Sequence, residues 1–263
     1  RLDVATMRAL NERIEVRGEQ IPDVARDALR SLGLLGASAA GTQADNGGRT
    51  GGRGSGLGAY FWERRSDLVR MTARHLLLAG TSLLVAIFVA VPLALILERR
   101  RRIAEGTIRF VGLLQTIPGI ALLAFMIPLF GIGVGPALAA LVVYAVLPIL
   151  RNTYSGVRDA SPPAVNAATA LGMTPMQVLR HVRLPLAAPV IMAGIRTAAV
   201  INVGTATLAA FVGAGGLGDP IVAGLALSDT RMILSGAIPA ALLALVVDLL
   251  LAGAERAVTP NIQ

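Results

Sequence analysis

Long runs of apolar residues, separated by short charged segments, occupy the chain from about residue 59 onward. The first run, 76–97, carries no charge and is long enough, at ~1.5 Å per residue, to cross a hydrocarbon core of ~30 Å. Each of the later runs contains at most one charged residue, and they cover 110–130, 136–150, 186–212 and 232–252. The pattern predicts an all-α membrane domain over 59–263 with about five transmembrane helices.

Two segments of different character precede this domain. Residues 1–35 are charged and amphipathic, with apolar positions at helical spacing. Residues 36–58 are rich in glycine, which is typical of a flexible linker. Residues 59–74 mix several Arg with acidic residues and Trp62, a composition that favours a helix lying in the membrane interface.

Composition agrees with a membrane protein and excludes several other classes. Hydrophobic residues make up 54% of the chain and charged residues only 15%, and the mean hydropathy is +0.68. All 24 basic residues are Arg, so a nucleotide-binding P-loop, which requires Lys, is excluded. Cysteine is absent, which excludes disulfides and Cys-ligated metal sites. The net charge of +8 does not indicate nucleic-acid binding, because the Arg residues mainly flank apolar runs.

The distribution of Arg predicts how the chain crosses a bacterial plasma membrane. Positively charged loops tend to stay in the cytoplasm, and the strongest cluster here is Arg99–Arg102. Placing this cluster inside puts the N-terminus outside, and puts both 151–185 and the C-terminus in the cytoplasm. Arg residues ahead of the first run conflict with this assignment, and the interfacial placement of 59–74 accounts for them.

The polar segment 161–185 is predicted to form two short helices that project from the membrane. The Ser161–Pro162 pair is a favourable helix start, since a Ser side chain can accept a hydrogen bond from a free N–H group. Gly172 suits a left-handed helix stop, and Thr174–Pro175 suits a second start. We expect the second helix to end near Leu184–Pro185. Such a projection would be rigid enough to receive force from a soluble partner.

The spacing of residues in this segment resembles the cytoplasmic signature of ABC importer permeases. That signature reads Glu-Ala-Ala, three residues, Gly, nine residues, Ile, one residue and Leu-Pro. Here Asn166-Ala167-Ala168 is followed at that spacing by Gly172, Val182 and Leu184–Pro185. Asn166 and Val182 depart from the pattern, and the loss of the acidic residue puts in doubt any salt bridge that the family makes there.

The resemblance implies the fold of a type I ABC importer permease, with this segment as its coupling loop. It implies an ATPase subunit dimer that binds ATP and Mg²⁺ in place of this chain, a second permease copy in a homodimer, and a fused or separate solute-binding domain. No cofactor, metal or catalytic residue is expected in this chain. The residues expected to couple to the ATPase are Asn166, Ala167, Ala168, Gly172, Met173, Thr174, Pro175, Leu184 and Pro185.

Further segments resemble the osmoprotectant permeases, which import glycine betaine, carnitine, choline and related quaternary amines. These segments are 115–118, 144–153, 189–197 and 202–218. Residues 1–35 resemble the last helices of the solute-binding protein of the same systems, so we expect the chain to be part of a longer fusion. Two alternatives stay open: an ABC permease for another solute, such as an amino acid or a thiol-containing betaine, and an ATP-independent channel or scaffold.

Polar residues inside the predicted spans are candidates for the solute path. Arg196 is expected to face the interior or a dimer seam, with Asp248 as one candidate partner, because charges within a membrane are costly unless they face a cavity or an opposite charge. Alternatively, Asp248 only reaches the inner surface of the membrane. The remaining candidates are Gln115, Thr116, Asn202, Thr205 and Thr207. For each of these, a hydrogen bond between helices is an equal alternative.

Two other patterns have simpler interpretations than the chemistry they suggest. Residues 213–218 match the GxGxxG pattern of dinucleotide-binding loops, but they follow a predicted span rather than a strand. This context favours a tight turn with closely approaching backbones. His75 and His181 lack carboxylate neighbours at ligand spacing, so positions at the membrane interface and in the coupling loop explain them better than a metal site.

Overall fold

The structure is a computed structural model in which the chain divides into two units. One unit covers Arg1–Ser55 and the other covers Gly56–Gln263. Most of the expected linker, 36–58, lies outside the described residues. The described residues are Thr6, Ala9, Leu10, Glu12, Arg13, 21–31 and 57–258.

In the first unit, residues 21–31 form the helix α1, Ile21–Ser31. Asp23 lies in its first turn and Arg30 in its last, which places each charge at the favourable end of the helix dipole. Asp27 accepts a hydrogen bond of 3.1 Å from Arg13. The helix that the spacing of apolar residues predicts in this segment is thus confirmed for Ile21–Ser31.

In the second unit, residues 57–258 contain helices and turns and no strand, which confirms the predicted all-α class for this part. Besides α-helices, this part contains a π-helical turn, Leu179–Arg183, and a 3₁₀ helix, Ala206–Val212. The helices are α2 Leu57–Glu63, α3 Arg65–Arg99, α4 Arg101–Gln115, α5 Gly119–Phe130, α6 Val134–Arg158, α7 Pro162–Ala170, α8 Pro175–Val178, α9 Leu184–Thr205, α10 Gly218–Ala226 and α11 Thr230–Val258.

Helices long and apolar enough to cross a membrane number four in the described part of the chain, or five when a bent pair is counted as one span. The four are Arg65–Arg99, Val134–Arg158, Pro175–Val212 and Thr230–Ala257. The prediction of about five spans is therefore confirmed.

The bent pair corrects the expectation of one uninterrupted span over 110–130. Helices α4 and α5 meet at an angle of 99°. Pro118 stands at the N-cap of α5 with an extended ψ of 138°. Because proline has no N–H and disfavours helical geometry in the residue before it, α4 stops at Gln115 and the chain changes direction.

The expected interfacial helix over 59–74 is also corrected. Helix α2 ends at Glu63, and from Arg65 onward the chain already belongs to α3. No glycine or proline occurs between Arg65 and Gly80, so nothing in the sequence stops the helix there. At 35 residues, α3 is about 52 Å long, which leaves its charged first turns beyond a core of ~30 Å.

Small residues allow the central helix α6 to pack closely against both α3 and α9. Ala86, Ala90 and Ala94 recur every fourth residue along the buried face of α3 and belong to the same buried cluster as Ile149 of α6. Between α6 and α9, a Cβ on Gly194 would lie 2.6 Å from the Cβ of Asn152. Because lipid is as apolar as the side chains, such close contact is what holds membrane helices together.

Helix α3 reaches from one end of this bundle to the other. Near its start, Arg74 and His75 hydrogen-bond to residues in the 213–218 turn. At its last turn, Glu98 forms an ion pair with Arg183. We call the end that carries Arg99–Arg102 the basic end, and the opposite end the glycine-turn end.

Close packing at Gly194 predicts the effect of one methyl group. We expect Gly194→Ala to destabilise the detergent-solubilised protein by about 1–3 kcal/mol, because the added Cβ overlaps Asn152 and the carbonyl of Pro148. The matched control is Gly80→Ala, a helical glycine of α3 whose added Cβ has no neighbour within 4 Å. The midpoint of thermal unfolding measures both variants, and equal midpoints would contradict the packing assignment.

Candidate functional site

Helix α7 ends at Ala170, and Gly172 just beyond it adopts the left-handed conformation that the sequence predicts. Gly172 has a φ of +81°, which is costly for any residue with a side chain. Its N–H donates to the carbonyl of Thr169 at 3.0 Å, and the N–H of Met173 donates to the carbonyl of Ala168 at 3.1 Å. This pair of bonds is a complete Schellman motif, so the end of α7 is defined by backbone geometry.

Helix α8 begins at Pro175, with a capping box at its N-cap residue Thr174. The N–H of Thr174 donates to Oε1 of Gln177 at 2.8 Å, and the N–H of Gln177 donates to Oγ1 of Thr174 at 3.4 Å. Pro175 fills the first helical position, as predicted. Ser161 does precede α7 at the N-cap, but its side chain makes no capping hydrogen bond, contrary to the expectation.

The second short helix does not end near Leu184–Pro185, and this prediction was wrong. It passes through the π turn Leu179–Arg183 into α9, so one helical segment runs from Pro175 to Val212. The N–H of Leu184 bonds to the carbonyl of Leu179, which widens the helix just before Pro185. Pro185 has no N–H to donate to the helix. Because the π turn has already shifted the hydrogen-bond pattern at this point, the helix continues through the proline.

We call residues 161–178, which contain α7 and α8, the capped loop. Its packing surface is small: Ala168 and Val178 are buried, and Met173 is half-buried. Leu184, beyond the loop, is also half-buried. The other residues predicted to couple to a partner are exposed, namely Asn166, Ala167, Gly172, Thr174, Pro175 and Pro185.

Two apolar side chains of the capped loop were missed by the sequence analysis. Leu171 is 84% exposed beside Gly172, and Met176 is 56% exposed in α8. In a polar segment their apolar character gave a signal, but only the fold shows that neither is covered. Both apolar side chains therefore lie on the surface of the capped loop.

Contacts with α3 place the capped loop at the basic end. Glu98 forms its ion pair with Arg183 in the π turn, and Arg99 Nη2 lies 3.7 Å from Sδ of Met176. A cavity of about 680 Å³ separates the rest of the loop from α3. Its wall includes Glu98, Arg99, Val165, Met173, Leu179 and Arg183.

At the glycine-turn end, residues 213–218 form the tight turn that the sequence favours. Gly213, Gly215 and Gly216 all have positive φ, at +72°, +81° and +106°. A Cβ on Gly218 would lie 1.9 Å from the carbonyl oxygen of Thr207. The turn follows a 3₁₀ helix, so its glycines serve backbone curvature and close approach rather than a nucleotide phosphate.

His75 fastens this turn to the bundle, a role that differs from the expected position at the membrane interface. Its side chain is fully buried. Nδ1 accepts a hydrogen bond from the N–H of Leu217 at 3.4 Å, and Nε2 lies 2.9 Å from the carbonyl oxygen of Val203. Since Nδ1 accepts, the network assigns the proton to Nε2, and the ring links α3, α9 and the turn in its neutral form.

Two charged residues frame the same turn. Arg74 donates from Nε to the carbonyl of Ala214 at 3.2 Å. Asp219 lies in the first turn of α10, where burial raises the pKa of its carboxyl above its usual value. The turn is therefore held by backbone-directed hydrogen bonds from α3 rather than by its own side chains.

Arg196 and Asp248 form a pair, which is one of the two arrangements that the sequence leaves open. Arg196 donates from Nε and Nη2 to the two carboxylate oxygens of Asp248, at 2.6 and 2.8 Å. Nη1 also donates to Glu255 at 3.3 Å, a contact that the sequence analysis missed. About a third of each side chain remains exposed. The group lines an open depression of about 400 Å³ together with Ala193 and Thr197.

Two of the other path candidates form hydrogen bonds between helices. Asn202 is fully buried and donates from Nδ2 to Oγ of Ser82 in α3 at 2.9 Å. Gln115 donates from Nε2 to the carbonyl of Tyr144 in α6 at 2.6 Å. The hydroxyl of Tyr144 in turn donates to the carbonyl of Ile117, which supports the bend between α4 and α5.

The three threonine candidates bond to the backbone of their own segments. Thr116 donates to Leu113 at 2.7 Å, Thr205 to Ile201 at 2.8 Å and Thr207 to Gly204 at 2.8 Å. Threonine hydroxyls commonly satisfy themselves this way in apolar helices. The structure therefore does not bring the five uncharged candidates together into one polar group.

Comparisons with known proteins agree with this architecture. Residues 52–263 match the model of a family described as binding-protein-dependent transport system inner membrane component. Choline transport system permease protein OpuBB of Bacillus subtilis (strain 168) is 47% identical over 74% of this chain and 89% of that protein. Osmoprotectant import permease protein OsmW of Salmonella typhimurium is 42% identical over 77% of this chain and 96% of that protein.

Solved structures show the same fold. The MetNI methionine ABC transporter, in inward-facing conformations, contains a chain with a TM-score of 0.66 and 24% identity, over 75% of this chain and 99% of that one. An amino acid ABC transporter has a TM-score of 0.64 at 15% identity, over 75% and 97% of the two chains. Together with the family match over 52–263, these findings show that the chain belongs to the binding-protein-dependent inner membrane components, the membrane-spanning permeases of type I ABC importers.

Proposed function

We propose that this permease carries quaternary-ammonium osmoprotectants, such as glycine betaine, carnitine or choline, into a bacterial cell. The observation that carries this proposal is the identity of 46–47% with two Bacillus subtilis permeases over 74% of the chain. One of them is named for choline and the other for glycine betaine, carnitine and choline.

The proposed partners are an ATPase dimer, a second permease copy and a solute receptor. ATP and Mg²⁺ would bind to the ATPase, since this chain has no Lys for a P-loop. The receptor is a solute-binding domain, fused or separate. In the fused case, we assign residues 1–35 to its C-terminal part. Residues 36–58 would then be its tether to the permease domain, 59–263.

The proposed orientation puts the basic end in the cytoplasm, with the N-terminus outside and the C-terminus inside. Arg99–Arg102, Arg180 and Arg183 all lie at this end, which is the bias expected of a cytoplasmic face. Trp62 is exposed, and the guanidinium carbon of Arg65 lies 4.8 Å from the centre of its ring. Trp62 precedes the start of α3, at the end opposite the basic end, and an aromatic side chain there suits a membrane interface.

In the proposed mechanism, the capped loop receives the closing motion of the ATPase dimer. Leu171 and Met176 dock on the ATPase, while the Schellman motif and the capping box keep the loop from deforming. Because α8 continues through the π turn into α9, displacement of the loop moves a membrane-spanning helix directly. ATP shifts the equilibrium between inward- and outward-open states because the ATPase binds it differently in the two states.

The proposed solute path lies between the two permease copies. Arg196 and Asp248 occupy an exposed face of the α9–α11 pair, and charges there are more favourable beside an aqueous path or a second copy than beside lipid. Gln115, Thr116, Thr205 and Thr207 are proposed to border this path where they are exposed or half-buried. Asn202, being buried, would act through its bond to Ser82.

A transport assay tests the function as a whole. We expect proteoliposomes that contain the permease, its ATPase and its receptor to accumulate labelled choline or glycine betaine only when ATP is enclosed with the ATPase. Uptake of a panel of quaternary amines, a thiol-containing betaine and several amino acids identifies the solute class. Preference for an amino acid would overturn the assignment of the solute, and uptake without ATP would overturn that of an ABC importer.

The left-handed Gly172 provides a test of the rigid loop. We expect Gly172→Val to lower uptake by at least tenfold, since a φ of +81° strains a β-branched residue by about 1–3 kcal/mol and disrupts the helix end. Gly106→Val, in α4, is the matched control because Gly106 lies within a helix and a Cβ there meets no atom within 4 Å. Membrane insertion is checked by yield, and unchanged uptake in Gly172→Val would refute the coupling role.

The exposed leucine of the capped loop provides a test of ATPase docking. We expect Leu171→Asp to reduce the amount of ATPase that copurifies with the permease by about tenfold, because a charge replaces an apolar contact. Leu227→Asp is the control, since Leu227 is 71% exposed and follows α10 rather than belonging to the capped loop. Equal recovery of ATPase with both variants would show that the capped loop is not the docking surface.

A further inference from the structure

The last turn of α3 and the π turn are joined by one ion pair, between Glu98 and Arg183. Its two residues are 85 positions apart in sequence, and their side chains are only 12% and 25% exposed. We propose that this pair is a positioning joint, through which movement of the capped loop reaches α3 as well as α9. The inference rests on the proposed function of the loop in ATP-driven transport.

The surroundings of the pair indicate that Glu98 binds Arg183 in preference to the arginines next to it in sequence. Glu98 is followed directly by Arg99–Arg102, yet its carboxylate contacts Arg183 of another segment. Charges that are largely covered by protein are costly when left alone, so either partner favours the geometry in which the other is present. Arg183 also occupies the position that the permease signature leaves unspecified, between Val182 and Leu184, so the signature itself does not reveal the contact.

The cavity at the basic end leaves few contacts by which movement of the capped loop can reach α3. About 680 Å³ of open space lies between the capped loop and the end of α3, and both members of the ion pair border it. Across this space the described residues provide the ion pair and the contact of Arg99 with Met176 at 3.7 Å. The second contact is exposed and involves a weak sulfur acceptor. The ion pair, which holds the π turn that directly continues the capped loop, is therefore the stronger of these two links to α3.

At its other end, α3 is already fastened to the helix that begins at Pro175. His75 contacts the carbonyl of Val203, and Ser82 accepts a hydrogen bond from Asn202, both at 2.9 Å. With one end fastened, the capped loop could still swing the α9 helix away from α3 at the basic end. The Glu98–Arg183 pair opposes that separation, so the two spans move together while it is intact.

Movement of α3 would also reach the 213–218 turn at the glycine-turn end. From Glu98 back to His75 the helix is continuous over about 35 Å, and His75 and Arg74 hold the 213–218 turn by hydrogen bonds to Leu217 and Ala214. The joint thereby connects the capped loop to the turn on the opposite side of the membrane. This physical route passes through a rigid helix whose position both ends can bias.

A double-mutant cycle in the complete transporter tests the joint. We expect Glu98→Gln and Arg183→Gln each to lower the solute taken up per ATP hydrolysed by about tenfold, a size typical of coupling between sites. The double variant should be no worse than either single variant, because both remove the same interaction. Glu105→Gln is the matched control, since it removes the exposed ion pair of Glu105 and Arg109, 3.5 Å, in α4.

A reversible cross-link tests the same point within one preparation. The chain has no cysteine, so Cys introduced at positions 98 and 183 can be bridged by a short, reducible bis-methanethiosulfonate reagent. We expect bridging to restore uptake per ATP in Glu98→Cys/Arg183→Cys and reduction to abolish it again. This comparison holds even if the variants assemble poorly, because each sample is its own reference.

The outcomes separate this inference from the proposed function. If the unaltered transporter takes up no solute with ATP, the proposed function itself fails. If it does transport, the joint is overturned by a ratio of uptake to ATP hydrolysis in Glu98→Gln and Arg183→Gln equal to that in Glu105→Gln. Additive effects in the double variant, or no response to bridging and reduction, would overturn it as well.

Discussion

The continuous helical segment from Pro175 to Val212 is the constraint on which the arrangement depends. It makes the exposed α8 and the membrane-spanning α9 parts of one helix, joined by a π turn instead of a flexible connection. The polar links to other elements then occur along this helix: Arg183 near its start, Arg196 in its middle, and Asn202 and Val203 near its far end. A displacement at one end of this helical segment is therefore passed along it, because no flexible loop interrupts the segment.

Several polar groups within the apolar bundle are matched to a partner on another helix. Ser82 and Asn202 link α3 to α9, and His75 adds the glycine turn to the same junction. Arg196 binds Asp248 through both carboxylate oxygens, the geometry in which a guanidinium and a carboxylate interact most strongly. These links fix the position of each helix along its neighbour, which the packing of small residues alone does not define.

Local features were predicted well because they depend on residues close in sequence. The left-handed stop at Gly172 and the start at Thr174–Pro175 follow from backbone preferences that act within four residues. The errors have the opposite origin. A proline was read as the end of a helix at Leu184–Pro185, but a π turn absorbs it, and at Pro118 an apolar run was read as straight although the proline bends it. Hydropathy counts residues and does not register such changes of direction.

Sequence alone determined the class of protein, the approximate number of spans and the capped loop, and it named Asp248 as one candidate partner of Arg196. Composition, caps and the cost of charges in a membrane are enough for these. Only the tertiary structure decided that His75 is buried beneath the glycine turn, that Glu98 meets Arg183, and that Leu171 is uncovered. The physical reason is that burial and long-range contacts depend on which helices become neighbours, and neighbours are chosen by the packing of the whole bundle.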